Sequence, residues 1–485
     1  MNITSPVPFI GGFLVVSLLV SILAARLTRL RDILWPVWIL IVYNLGWDVI
    51  LIVFGVKKVH QAELQLFGVL VGIVFGIVVL ISVPKFFRLL ESKQLIITRF
   101  DLLIFSLPVI ISFLGLTIGV LYRNDISYLI SDTYKLLILS GTYFVCIVSL
   151  RRSASARTVF GIIVALVLLQ QVFDILIVAK PLLATGSYNR VADQFWPNRL
   201  LLFPFLGLAI ARTTSMRHKI VYGLALTVTV IAALLSLYRT ALILGASSFF
   251  LAVSPRTMPY FVRNLVTVLL IMAVAGGILI GVLQVGGQAD LVTRSWSFVF
   301  ESLAGRFNEM LEGGGGASIQ VKFVEAQSVL NELLAKGSLL NWLAGFGSGA
   351  QYSATAKLEL AGGLQQYQQV YGASELTHHI HSVFFAALLR YGLIGTGILL
   401  GLLMMIWGAT KKLDLRLRNK LDSIQLHSIF VYFTLTLVVM NLNSTFWGDP
   451  NWGVLLAIAS IHAKARIIER RNRLRLQYNT QSDVL

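Results

Sequence analysis

The sequence predicts an all-α protein that crosses a membrane many times. Three observations carry that reading. The 485-residue chain is 57% hydrophobic and only 13% charged, against about 25% charged in a soluble globular domain. Apolar runs of about 20 residues, each able to cross a hydrocarbon core of about 30 Å, recur along its length. Lysine and arginine concentrate in alternate connections between those runs. The same composition excludes a disordered chain, a collagen, a coiled coil and a disulfide scaffold.

The run at 7–26 lacks the basic start of a signal peptide and reads as an uncleaved first helix. Runs follow at 33–55, 64–84, 101–121, 135–150, 158–178, 200–211, 220–238, 240–254 and 263–284. After a long gap come 382–408, 425–442 and 452–463, which makes about thirteen. The short runs, 200–211 and 452–463, need flanking residues or a place inside the bundle to span. Backbone groups cannot stay unpaired in lipid, so the runs are helices; they are too apolar for barrel strands. The single cysteine, Cys146, makes neither an intrachain disulfide nor a thiolate cluster. It reads as a small core or lipid-facing side chain.

Seven connections, from RLTRLRD after the first run to KARIIERRNRLR in the tail, hold 26 of the 40 lysines and arginines. The positive-inside rule makes those connections cytoplasmic, with the N-terminus outside and the C-terminus inside. That side then carries +19 and the remainder −1, so orientation accounts for the whole net charge of +18. No nucleic-acid partner is needed. The tail reads as a topology anchor near anionic membrane lipid.

The chain divides into an N-terminal transmembrane bundle at 1–284, a large outside loop at 285–381, C-terminal transmembrane helices at 382–463 and a basic tail at 464–485. Loops of that length are usually functional. WSFVFESLAGRFNEML and SIQVKFVEAQSVLNELLAK have helical apolar spacing, with a hinge at Gly313–Gly316 between them. KLELAGGLQQYQQVYGASELTHH reads as one or two further polar helices.

The loop closes on Glu375-Leu-Thr-His378-His379-Ile-His381-Ser382, with three of the seven histidines inside four positions. Histidine at such a place serves as a general base or holds an anionic leaving group. The plainer alternative is a group of interfacial polar residues at the start of a helix. Glu375/His378 and His378/His381 have the i,i+3 spacing of metal ligands, but HExxH and cysteine ligands are lacking.

His381-Ser382, nine residues, Gly392, two residues and Gly395 resemble the His-[Asn/Ser/Gln]-x9-Gly-x-x-[Gly/Thr/Tyr] signature of bacterial O-antigen ligases. Related polysaccharide polymerases and protein O-oligosaccharyltransferases carry similar runs. The resemblance covers about residues 195–460. It implies a GT-C-like bundle in the bacterial inner membrane with a large helical periplasmic loop. It also implies a glycan donor on undecaprenyl diphosphate, a glycan or lipid-linked acceptor, and an inverting transfer without metal or cofactor. A chain-length regulator is a candidate partner.

The resemblance implies roles residue by residue. His381, with His378 and His379 close enough to share the role, is the catalytic base. Arg239, in an Arg-x3-Leu run where Ile243 replaces leucine, and Arg306, with Arg294 as its competitor, bind the diphosphate. Gly345, Gly347 and Gly349 in NWLAGFGSGA resemble a glycine-rich turn before the histidine. No strand–turn–helix unit surrounds them, so they are not a dinucleotide fingerprint. Arginines suit a diphosphate leaving group, and a histidine of near-neutral pKa suits an acceptor hydroxyl.

Other polar residues carry weaker expectations. Asp48 and Asp174 lie inside apolar runs and are either functional or buried and hydrogen-bonded. Arg390, nine residues after His381, should face away from it on a continuous helix and pack against another helix. NLNSTFWGDPNW either caps the cavity or forms an interfacial aromatic belt with Trp447 and Trp452.

Two activities fit the resemblance: polymerising O-antigen or exopolysaccharide repeat units, or ligating a finished glycan to lipid A–core or another acceptor. The signature residues favour the ligase slightly, whereas the extra length, the extra N-terminal helix and the number of exopolysaccharide polymerases sharing the motif favour the polymerase. A secondary transporter is the rival from another class; it calls for interrupted helices with polar groups near the midplane. A flippase for lipid-linked sugars calls for a charged central cavity.

Overall fold

A computed structural model describes residues 6–54, 61–185, 201–235, 316–353, 376–378, 380, 382–417, 423–439 and 449–482, with scattered residues between 245 and 305. The described residues are overwhelmingly helical. The N-terminal half holds α1 (Pro6–Leu27), α2 (Leu34–Phe54), α3 (Gln61–Glu91), α4 (Arg99–Leu121), α5 (Ile126–Ser149), α6 (Ser153–Thr185), α7 (Leu202–Arg212) and α8 (Met216–Leu235). Then come α9 (Gly316–Lys336), α10 (Leu339–Ala344), strands β1 (Tyr352–Ser353) and β2 (Leu376–Thr377), α11 (Val383–Leu417), α12 (Ser423–Val439) and α13 (Pro450–Ser482).

Six stretches among the described residues are long and apolar enough to cross a membrane: Ile10–Leu27, Leu70–Glu91, Arg99–Leu121, Ser153–Leu176, Met216–Ala233 and Val383–Asp414. Their outer faces are apolar too. Val15 and Leu19 on α1, Leu80 on α3, Phe113 and Leu114 on α4 and Met404 on α11 are all exposed. So much exposed apolar surface suits lipid and not water. Two further expected spans appear as the shorter apolar helices α7 and α12. The runs at 240–254 and 263–284 lie largely outside the described residues.

α5 is the hub, packed against α2, α3, α4 and α13. Its core includes Tyr143 and the fully buried Cys146, with Phe160 on α6, Tyr432 and Phe433 on α12, and Trp452 on α13. Trp452 stands edge-on to Phe433, ring centroids 4.7 Å apart. It belongs to the core, contrary to an interfacial belt; Trp447 lies outside the described residues.

Several helix limits differ from those read in the sequence. α3 runs on to Glu91, α11 to Leu417 and α13 to Ser482. Each extension passes through residues read as connection or tail. Hydropathy marks where the apolar part of a helix stops, whereas Lys, Arg, Leu and Glu continue a helix readily. α5 starts at Ile126, well before the apolar run, because Asp125 caps it by accepting from the backbone N–H of Ser127 at 2.8 Å. Gly316, read as part of a hinge, opens α9. Leu376–Thr377 form a strand, not a helix, paired antiparallel with Tyr352–Ser353. α11 is broken at Gly392, with φ 62° and ψ −167°.

Polar contacts gather the basic connections at one end of the bundle. The Ser155 hydroxyl donates to Asp32 at 2.6 Å, and Arg151 donates to Gln94 at 3.2 Å. At this end Asp101 closes a capping box with Thr98 at the start of α4. Its carboxylate accepts from the Tyr143 hydroxyl at 2.5 Å and from Ser460 at 3.0 Å, and Lys464 Nζ stands 2.9 Å away. The turn between α4 and α5 is at the opposite end.

Candidate functional site

The site grows from that turn. Tyr128, Asp132 and Lys135 follow the Asp125 cap at spacings of four and three, which puts them on one face of α5. A glycine turn then docks the loop onto the hairpin. Ser348 N–H donates to the Gly115 carbonyl at 2.8 Å. The Asn124 side-chain amide donates to the carbonyls of Phe346 and Ser348 at 2.9 and 2.8 Å. A β-carbon on Gly347, whose φ is 84°, would overlap the backbone of Gly119. Only glycine allows both the left-handed conformation and the approach.

The same turn meets the break in α11. Phe346 N–H donates to the Leu389 carbonyl at 2.8 Å, and Gly347 N–H to the Arg390 carbonyl at 2.9 Å. Carbonyls next to a helix end lack intrahelical donors and must be supplied from elsewhere. Gly392 therefore lets α11 stop and restart while the turn satisfies its exposed backbone. A β-carbon there would overlap the Leu343 carbonyl. Gly395, one turn further on, packs under the Tyr391 side chain.

These contacts bring three distant residues together. Asp132 Oδ2 lies 2.8 Å from His378 Nε2 and 2.9 Å from Arg390 Nε, and accepts from Gly349 N–H at 2.9 Å. Arg390 Nη2 donates to the His378 carbonyl at 3.1 Å and lies 3.0 Å from His378 Nε2. The Tyr128 ring stacks on the imidazole, centroids 4.3 Å apart and planes within 6°. The β1–β2 pair delivers His378 to this position, immediately after Thr377.

The geometry selects a tautomer. A carboxylate accepts only, so the nitrogen facing it carries the proton. Nε2–H donates to Asp132, Arg390 Nη2 donates to the carbonyl, and Nδ1 keeps its lone pair. Asp132 is fully buried and His378 is 11% exposed at its side chain. Burial first, and the Arg390 guanidinium second, push the imidazole below its ordinary range, while Asp132 pulls the other way. The ring is neutral at neutral pH, with one nitrogen ready to accept a proton.

The sequence-derived residues divide sharply. His378, Gly345, Gly347, Gly392 and Gly395 are described, and all but Gly395 meet at the glycine turn or its histidine. His379, His381, Glu375, Arg239, Arg294 and Arg306 lie outside the described residues. Arg390 does contact another helix, α5, but it does so beside His378. α11 starts at Val383, and where Arg390 stands relative to His381 lies outside the described residues. Asp174 is buried on α6; Asp48 lies in α2, its side chain outside the described set.

Asp132, Tyr128 and Lys135 were missed. Placing the fifth span at 135–150 cut the first two off as connection. Their i, i+4, i+7 spacing next to an aspartate cap was the available signal. Among the described residues no group of three His, Cys, Asp or Glu is arranged to hold a metal ion.

Fold and site define a multi-pass, all-α membrane protein with a buried carboxylate–histidine–arginine cluster at one end of its bundle. No protein-family model matches the chain, and no curated protein matches it significantly.

Proposed function

We propose that this chain is a bacterial inner-membrane glycosyltransferase of the O-antigen ligase and polymerase type. It takes glycan from an undecaprenyl diphosphate-linked donor at the periplasmic face and polymerises O-antigen or exopolysaccharide repeat units. The observation that carries this reading is His378, oriented by Asp132 and Arg390 at the bundle end away from the basic connections. Under the positive-inside rule that end faces the periplasm.

In the proposed step an acceptor hydroxyl gives its proton to His378 Nδ1. Its oxygen attacks the anomeric carbon of the donor, and the bond from that carbon to the diphosphate oxygen breaks. The leaving diphosphate takes the electron pair, and direct attack inverts the centre. Asp132 holds the imidazole in the useful tautomer and stabilises the imidazolium that forms. Arg239 and Arg306, or Arg294, are the proposed diphosphate ligands on the strength of the resemblance. His379 and His381 remain partners in the proposed proton transfer.

Among the described residues, the break in α11 is what favours transport. Its neighbouring carbonyls accept from the glycine turn, which supports an anchoring role. The deciding experiment supplies the purified protein with undecaprenyl diphosphate-linked repeat units alone. A ladder of products is expected. Product only after a second acceptor is added would make the enzyme a ligase. No product with either would overturn the transferase reading.

A further inference from the structure

Arg390 is engaged within the cluster. Its Nε faces Asp132, and its Nη2 is taken by the His378 carbonyl. The remaining cation of the cluster is Lys135. It lies one helical turn from Asp132 on the same face of α5, close enough to feel both Asp132 and Arg390. Among the described residues no carboxylate lies within ion-pair distance of its amine and no acceptor takes its hydrogen bonds. The local balance is one carboxylate against a guanidinium and an amine, next to a histidine that turns cationic when it accepts a proton. Burying a surplus ammonium is costly unless an anion joins it. The lysine is mostly buried yet keeps part of its surface open.

We infer that Lys135 is an anion-binding residue of this site and holds the diphosphate of the polyprenyl-linked donor from the α5 side. The inference rests on the transferase reading above. Lysine has the right chemistry, because a compact point charge with three donors follows a diphosphate as negative charge shifts onto the leaving oxygen. Its place one turn from Asp132 puts leaving-group binding and the orientation of the base on neighbouring turns of one helix.

The probe is undecaprenyl diphosphate, titrated into purified full-length protein in nanodiscs, with undecaprenol as the uncharged control. Wild type is expected to bind the diphosphate in preference to the alcohol. Lys135→Gln should weaken diphosphate binding roughly tenfold or more, the loss of one charged hydrogen bond, and leave the undecaprenol value unchanged. Lys135→Arg should restore most of the affinity, and unchanged melting of both variants shows that the fold survives. Equal diphosphate affinity in wild type and Lys135→Gln overturns the role of Lys135 while the transferase reading stands. No preference of wild type for the diphosphate overturns both. Displacement of the probe by excess phosphatidylglycerol, sensitive to Lys135→Gln, would show that the lysine serves bulk anionic lipid, which also overturns the proposal.

Discussion

The Asp132 carboxylate lies 2.8 Å from Nε2 of His378, a residue 246 positions further along the chain. A hydrophobic pattern cannot reveal that pairing. It depends on the Asp125 cap, the Gly345–Gly349 turn and the β1–β2 pair acting together. If the pairing orients a general base, Asp132→Asn should cost far more than a surface charge. The amide can donate to Nε2 and so favours the wrong tautomer. Turnover on lipid-linked repeat units should fall at least about 100-fold in the variant that remains folded. Near-normal turnover would remove Asp132 from the mechanism.

The pH profile follows from the same cluster. A base works when neutral, so activity rises with pH through the His378 pKa. Burial and Arg390 depress that value, so the acid limb of wild type should lie below the ordinary histidine value of about 6.5. Arg390→Gln removes a depressing charge and leaves Asp132, which favours the imidazolium. The acid limb should then move to higher pH. Initial rates from pH 5 to 8 measure this, and a shift to lower pH contradicts the assignment.

The turn makes a stability prediction. Gly392→Ala forces a side chain into a φ of 62° and against the Leu343 carbonyl. Left-handed backbone alone costs about 1–2 kcal/mol for an L-residue; with the overlap, the loss should exceed about 2 kcal/mol. Thermal unfolding in detergent reads it, with Gly397→Ala as control, because a β-carbon there meets nothing within 4 Å. The glycine spacing in NWLAGFGSGA signals a turn at the level of sequence, whereas the break at Gly392 falls inside a run read as one helix. That the turn is clamped between the end of α4 and the broken α11 is a tertiary fact with no local signature. Helix positions were legible for the opposite reason: apolar runs report a lipid-facing surface directly. α5 was misplaced because its first turns are polar inside the protein, where hydropathy reads them as a connection.

At the other end, Asp101 and Lys464 form a buried pair, with side-chain exposures of 0% and 12%. Lys464→Met strands the carboxylate among Tyr143, Ser460 and Thr98, at an expected cost of about 3–5 kcal/mol. Asp101→Asn combined with Lys464→Met should recover most of that loss, since neither charge remains. A double-mutant cycle on thermal or denaturant unfolding tests it. Simple additivity would show that the two groups do not act as a pair.

Orientation can be tested with the chain's own chemistry. The only cysteine, Cys146, is fully buried on α5, so wild type should be nearly silent to a membrane-impermeant maleimide. One cysteine introduced at exposed Ser127, in the first turn of α5, and another at exposed Arg152, after α5, then report opposite ends of the same helix. The excess of lysine and arginine on the Arg152 side predicts its retention in the cytoplasm. In intact spheroplasts Ser127→Cys should label and Arg152→Cys should label only after permeabilisation. The reverse pattern would put His378, Asp132 and Arg390 on the cytoplasmic side, away from a periplasmic glycan acceptor, and the transferase reading would fall with it.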